Sequence, residues 1–176
     1  MKKKWTENTA LAALALVLAA AAGIVGVGGV KARSAAAEPY AYYQTEMASD
    51  FAQRESAAET LLSLAQQQGV DPALIGDAQT ALDESRAQAE SPAGRYRAGT
   101  QLKMTVELVY NSLPAAQRDG KGSPAQMAWS EFTSRTSILS HLVPEYNELA
   151  RETRQKLSGF PARLLAGGAD QLEEMA

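Results

Sequence analysis

The 176-residue chain has no cysteine, a single histidine and a formal net charge of −3, which excludes disulfide scaffolds, thiolate metal sites and a cysteine nucleophile. Alanine is abundant, aromatic residues are few and β-branched runs are missing, so the composition points to helix. Residues 1–37 carry five Lys/Arg against one Glu, whereas residues 38–176 carry twelve Lys/Arg against nineteen Asp/Glu, a balance of −7. An acidic body without a basic stripe argues against nucleic-acid binding, which depends on neutralising phosphates, and against charge-driven adhesion to anionic lipid.

Lys2, Lys3 and Lys4 precede an uncharged run from Thr9 to Val30. Its twenty-two residues rise about 33 Å as a helix, enough for a hydrocarbon core of about 30 Å. A cleaved signal peptide ending near Ala35-Ala36-Ala37 is the alternative. The run exceeds the usual h-region of about 7–15 residues, and Lys31 and Arg33 stand before the A-x-A site, so an uncleaved anchor is favoured. Three lysines before the span against two cations after it lean toward a cytoplasmic N-terminus and an extracytoplasmic domain. The organisation expected is a basic flank (1–8), a transmembrane signal-anchor helix (9–30), a linker (31–38), a helical bundle (39–166) and a flexible tail (167–176). Tyr40, Tyr42 and Tyr43, just beyond the span, suit either an interfacial aromatic belt or packing at a helix start.

Prolines punctuate the rest. Glu38-Pro39, Asp71-Pro72, Ser91-Pro92 and Ser123-Pro124 place Pro in a first helical turn, the last three behind a capping side chain. The predicted helices run over 39–68, 72–90, 92–112 and 124–159, and Ser123 to Gln126 reads as a capping box. The first shows an apolar face through Tyr43, Met47, Phe51, Ala58, Leu61, Leu62 and Ala65; the second a thin stripe of Leu74, Ala78, Ala81, Leu82 and Ala89. The third offers Leu102, Val106, Val109 and Leu113, with Gly94 and Gly99 weakening its start. Residues 115–122 read as an exposed loop. In the last helix Phe132, Leu139, Tyr146, Thr153 and Phe160 recur every seven residues, the stripe of a helix packed along its whole length. Pro144 inside it predicts a kink, with two separate helices as the fallback. The fold class expected is therefore all-α: an antiparallel bundle of about four helices with a long kinked C-terminal helix, preceded by one transmembrane helix.

Tyr146-Asn147, with Phe160-Pro161-Ala162 following, resembles the C-terminal signature of the LemA family. Arg54 in Phe51-Ala-Gln-Arg54-Glu is similar to the arginine early in that family's first bundle helix, and Asp77 to Leu82 resembles its second segment more loosely. Two departures mark a divergent relative: Thr153-Arg154 stands where the family repeats Tyr-Asn, and Leu142-Val143 where it has Ala-Arg. The resemblance implies a membrane-tethered helical bundle and names no activity.

Five residues stand out as structural or interaction candidates: Arg54, Tyr146, Asn147, Phe160 and Pro161. Tyr146 and Asn147 suit a recognition spot at the helix seam, or a packed ring beside a helix-side hydrogen bonder. Phe160-Pro161 suits a plug that stops the helix. Arg54 points near the buried face, so it either pairs with a carboxylate, Glu107 or Glu131, or snorkels at the seam edge. Glu55, Glu59, Glu148, Glu152 and Arg151 read as solvated faces. Ser137 and Glu145 share the helical face of His141, with Ser140 nearby in sequence, but this set lacks an oxyanion hole, and one histidine excludes a helical di-iron site. No catalytic, cofactor-binding or metal-ligating residue is assigned, and no enzyme activity is expected. The expectation is a cell-envelope interaction or scaffold module with a protein partner or self-association; the alternative is a sensor holding a small ligand where the glycines of the third helix leave space.

Overall fold

A computed structural model describes residues 29–158 and 172–176. The described residues are helical throughout their regular structure and include a long C-terminal helix. In order they are α1 (Gly29–Tyr42), a π-helical turn (Tyr43–Met47), α2 (Ala48–Gln67), α3 (Pro72–Ala87), α4 (Pro92–Ser112), α5 (Ala115–Arg118) and α6 (Pro124–Leu157). Residues 31–38, expected as a linker, are helical within α1, and the expected loop at 115–122 contains α5. The 9–30 run lies outside the described residues but for its last two positions. Among the described residues no helix is long and apolar enough to cross a membrane.

The start signals act as their chemistry dictates. Asp71 Oδ1 accepts the Ala73 amide at 2.9 Å, Ser91 Oγ that of Gly94 at 3.3 Å and Ser123 Oγ that of Gln126 at 3.1 Å, each one residue ahead of a proline. Gln126 reaches back to the amide of Gly122 (2.9 Å) rather than to that of Ser123, a shifted form of the capping box. Gly69, at φ +73°, ends α2 in a left-handed residue, and Val70 N–H closes on Ala65 C=O at 3.0 Å, a Schellman stop with both side chains buried. α6 runs unbroken through Pro144. Pro144 and Ser140 are both exposed, so the carbonyl that loses its partner faces water.

The π turn answers a spacing problem. Tyr43, Met47 and Phe51 are all buried and each lies four residues from the next. Four residues overshoot a full α-helical turn by about 40°, so repeating that step would carry the stripe off the core. One wider turn takes the excess back.

The chain divides into two compact units, Pro39–Ala150 with Glu173–Ala176, and Met1–Glu38 with Arg151–Leu172. In the first, Ser85 and Arg86 of α3 reach Glu55 and Glu59 of α2, and Arg135 of α6 reaches Asp50 of α2. These pairings make α3 and α6 run opposite to α2. Its core has two apolar clusters. One gathers Ala58, Leu61, Leu82, Leu102, Val106 and Phe132, with Trp129 stacked between Tyr110 (4.6 Å) and Phe132 (5.7 Å). The other gathers Tyr43, Met47, Phe51, Leu139, Val143, Tyr146, Ala150 and Met175. In the second unit Thr153 and Leu157 are buried, Lys156 pairs with Glu152 at 3.2 Å, and Arg154 donates to the Leu172 carbonyl at 2.6 Å.

Candidate functional site

Along α2, the two buried residues between Phe51 of one cluster and Ala57 of the other, Arg54 and Glu55, are charged. Arg54, Glu55 and, from α4, Arg95 are only 3%, 2% and 6% exposed. Both carboxylate oxygens of Glu55 are engaged by Arg95, Nε to Oε1 at 3.0 Å and Nη2 to Oε2 at 2.7 Å, and Ser85 Oγ donates to Oε1 at 2.6 Å. Arg95 Nη1 donates to the Tyr43 hydroxyl (2.9 Å), which donates onward to the Ala89 carbonyl (2.8 Å). This layer ties α2, α3, α4 and the π turn at one level. Burial opposes the charge of Arg95, but its bonds to Glu55 and Tyr43 win and raise its pKa. Burial raises the Tyr43 phenol, against the pull of Arg95.

Arg54 sits beside this layer without joining it. Its Nε and Nη2 are buried and have no hydrogen-bond partner among the described residues. Its guanidinium lies 5.2 Å from the Phe51 ring centroid, and that of Arg95 lies 5.1 Å from the same ring. Burial pushes the Arg54 pKa down to about 10; Glu55 opposes the shift and Arg95 adds to it. At neutral pH two guanidinium groups therefore share one carboxylate. The pairing expected of Arg54 is made by Arg95 instead, and Arg54 does not snorkel. Glu131 is taken by Arg135 (2.6 Å), and Glu107 is exposed.

Gly99 explains why the guanidinium fits. A Cβ there would lie 1.9 Å from Arg54 Nη2. The room expected beside the α4 glycines is thus filled by protein: Arg54 at Gly99, and Gln88 with Ser91 at Gly94. Glu55, read as solvated from sequence, is among the most buried charges. The signal was present, because Glu55 lies four residues after Phe51, and Arg95 and Gly99 extend the stripe Leu102-Val106-Val109 backward by a turn.

Tyr146 and Asn147 part company. The Tyr146 ring is buried in the second cluster, and its phenol is pushed up to about 12, mainly by burial. Asn147 turns its amide to residues 173–176. Nδ2 donates to the Met175 carbonyl at 2.9 Å, and the Met175 amide donates to Oδ1 at 2.7 Å. The Met175 side chain is 2% exposed, and Arg97 of α4 pairs with Glu173 on the surface. A flexible tail to the last residue is therefore not what the structure shows. Phe160 and Pro161 lie outside the described residues.

The aromatic residues at the α1 end bond to protein: Tyr40 donates to Glu90, and Tyr42 to Glu145 at 3.0 Å. His141 is exposed, and Ser140 Oγ donates to the Ser137 carbonyl at 2.7 Å, as an ordinary helix-side serine does. On the outer flank, a groove of about 390 Å³ runs between α2 and the start of α6, lined by Gln53, Ala57, Thr60, Pro124, Met127 and Ala128 among others. Comparison with known proteins finds no matching family model, no matching curated protein and no matching solved structure.

Proposed function

We propose that the chain is a divergent LemA-like module of the cell envelope, anchored by the 9–30 run with its helical body on the extracytoplasmic side, which works by contact with a protein partner. The uncharged run, the acidic body and the Tyr146-Asn147 and Phe160-Pro161 signature support the anchoring and the kinship. The observation that carries the contact reading is apolar surface left outside a filled interior. Met104 and Leu108, one turn apart on α4, and Met127 on α6 are 52%, 56% and 61% exposed. Met127 also lines the α2–α6 groove, which spans two turns of each of two antiparallel helices. Such a groove fits the apolar face of a partner's amphipathic helix.

Photo-crosslinking in cells tests this. A benzophenone amino acid at position 127 is expected to give discrete adducts with one protein, and the same probe at exposed Glu84 is not. Adducts at neither position 127, 104 nor 108 overturn the contact reading. External protease is expected to cleave the body in intact cells; cleavage only after lysis would place the body in the cytoplasm and overturn the orientation.

A further inference from the structure

Asn147 presents a side-chain amide that satisfies both main-chain polar groups of one residue, donating to the Met175 carbonyl and accepting from its amide. That is how a protein grips a peptide by its backbone, and a helical residue has no free groups to offer it. Beside the amide, the Met175 side chain is buried as a member of the second apolar cluster, which also holds Tyr43, Phe51, Val143 and Tyr146. On α4, Arg97 pairs with Glu173, two residues earlier. The three contacts together read a backbone, an unbranched apolar side chain and an acidic residue at the −2 position.

We infer that Asn147, Arg97 and the pocket around Tyr146 form a peptide-binding site for a non-helical Glu-x-Met segment, and that residues 173–176 are its occupant within the chain. This goes beyond the contact reading above, because it adds a second surface, apart from the α2–α6 groove, with a partner chemistry of its own. Fifteen residues, 158–172, separate the end of α6 from residues 173–176, so the occupant is joined to its site through a long connection. The buried Met175 side chain, its two main-chain hydrogen bonds and the surface Arg97–Glu173 pair are opposed by the backbone entropy of ordering residues 173–176. An occupant held that way exchanges with a free segment of the same chemistry, and its high effective concentration protects the site until one arrives.

The test uses the full chain in mild detergent and a fluorescein-labelled peptide with the sequence of residues 169–176, read by anisotropy. Met175→Asp, which withdraws the chain's own segment, is expected to bind the peptide at least tenfold more tightly than the unaltered chain. Adding Asn147→Ala to that variant is expected to weaken binding at least tenfold, with helix content unchanged by circular dichroism. Equal weak binding by the unaltered chain and Met175→Asp overturns the inference, as does binding indifferent to Asn147. Because Met175→Asp also exposes a core pocket, a second arm keeps the chain unaltered: saturating unlabelled peptide is expected to speed hydrogen exchange at residues 172–176. Unchanged exchange there overturns the inference. If both arms fail while the position-127 crosslinks persist, the peptide site falls and the contact reading stands; if the crosslinks fail too, both fall.

Discussion

Replacing Arg54 by Met is the most discriminating perturbation of the buried layer. The guanidinium is 3% exposed, and Nε and Nη2 lack partners among the described residues. At ~1.4 kcal/mol per pKa unit, a fall from the ordinary arginine value to about 10 corresponds to ~3 kcal/mol against the charged side chain. Its position over Phe51 returns about 1–2 kcal/mol of that. Methionine restores apolar contact in a similar volume with little change in helix propensity. Arg54→Met is therefore expected to melt at the same temperature as the unaltered chain or up to roughly 5 °C higher. Glu55→Gln leaves Arg95 and Arg54 without a counter-charge and is expected to lose about 3–5 kcal/mol. The linkage sign adds a second readout. Because the folded pKa lies below the unfolded one, the penalty is fully present below about pH 10 and is relieved as pH rises from there toward the ordinary arginine value. The advantage of Arg54→Met should accordingly narrow above pH 10. Scanning calorimetry at pH 7.5 and 10.5 measures both effects. A loss of more than about 2 kcal/mol in Arg54→Met at pH 7.5 would refute the reasoning, since it would mean the guanidinium is well paired.

Gly99→Ala gains ~1 kcal/mol of helix propensity but places a Cβ on Arg54 Nη2, so the gain should appear only in the Arg54→Met background; a double-mutant cycle with coupling below about 0.5 kcal/mol would deny the contact. Ser85→Ala removes a 2.6 Å hydrogen bond to a buried carboxylate and is expected to cost about 1.5–3 kcal/mol by urea unfolding, where a loss under ~0.5 kcal/mol would contradict it. Tyr146 has a folded pKa of about 12 against an ordinary 10, so the unfolded phenol ionises first and stability falls across that window. Tyr146→Phe should flatten that alkaline decline, with Tyr42 and Tyr43 sustaining the remainder; an unchanged slope between pH 10 and 12 would rule this out.

Much of the bundle is legible because its signals are local. A proline behind Asp or Ser starts three helices, Gly69 stops one, and a seven-residue recurrence names Phe132, Leu139, Tyr146 and Thr153, all of them buried. The ionic layer is less legible because hydrophobic periodicity assigns charged residues to the surface by default. Glu55 and Arg95 share the buried stripes of their helices, but only their meeting across forty residues makes burial affordable to either. The spacing of Arg54 from Phe51 and Ala58 puts it near the buried face, while the room for its guanidinium depends on a glycine forty-five residues away. The docking of Met175 on Asn147 was illegible for a different reason. A segment without periodicity, gripped through its main chain, leaves almost no side-chain signature.

Two features that look separate in sequence meet at Tyr43. Its ring shares the apolar cluster that takes Met175 and lies 5.9 Å from Phe51, while its hydroxyl links Arg95 to the Ala89 carbonyl. A change in the Met175 pocket that moves this ring also moves the hydroxyl, and the hydroxyl is one of the groups that hold Arg95 in place. Packed interiors transmit such displacements because they contain little free volume to absorb them. The occupied peptide site and the ionic layer should therefore be energetically coupled. Tyr43→Phe removes the hydroxyl alone, and Met175→Ala empties the pocket alone. Their double variant is expected to depart from additivity by about 0.5–1 kcal/mol in urea unfolding, as contacting residues do. Additivity within ~0.3 kcal/mol would mean that the ring stays put when the pocket empties, and that the two features are neighbours without communication.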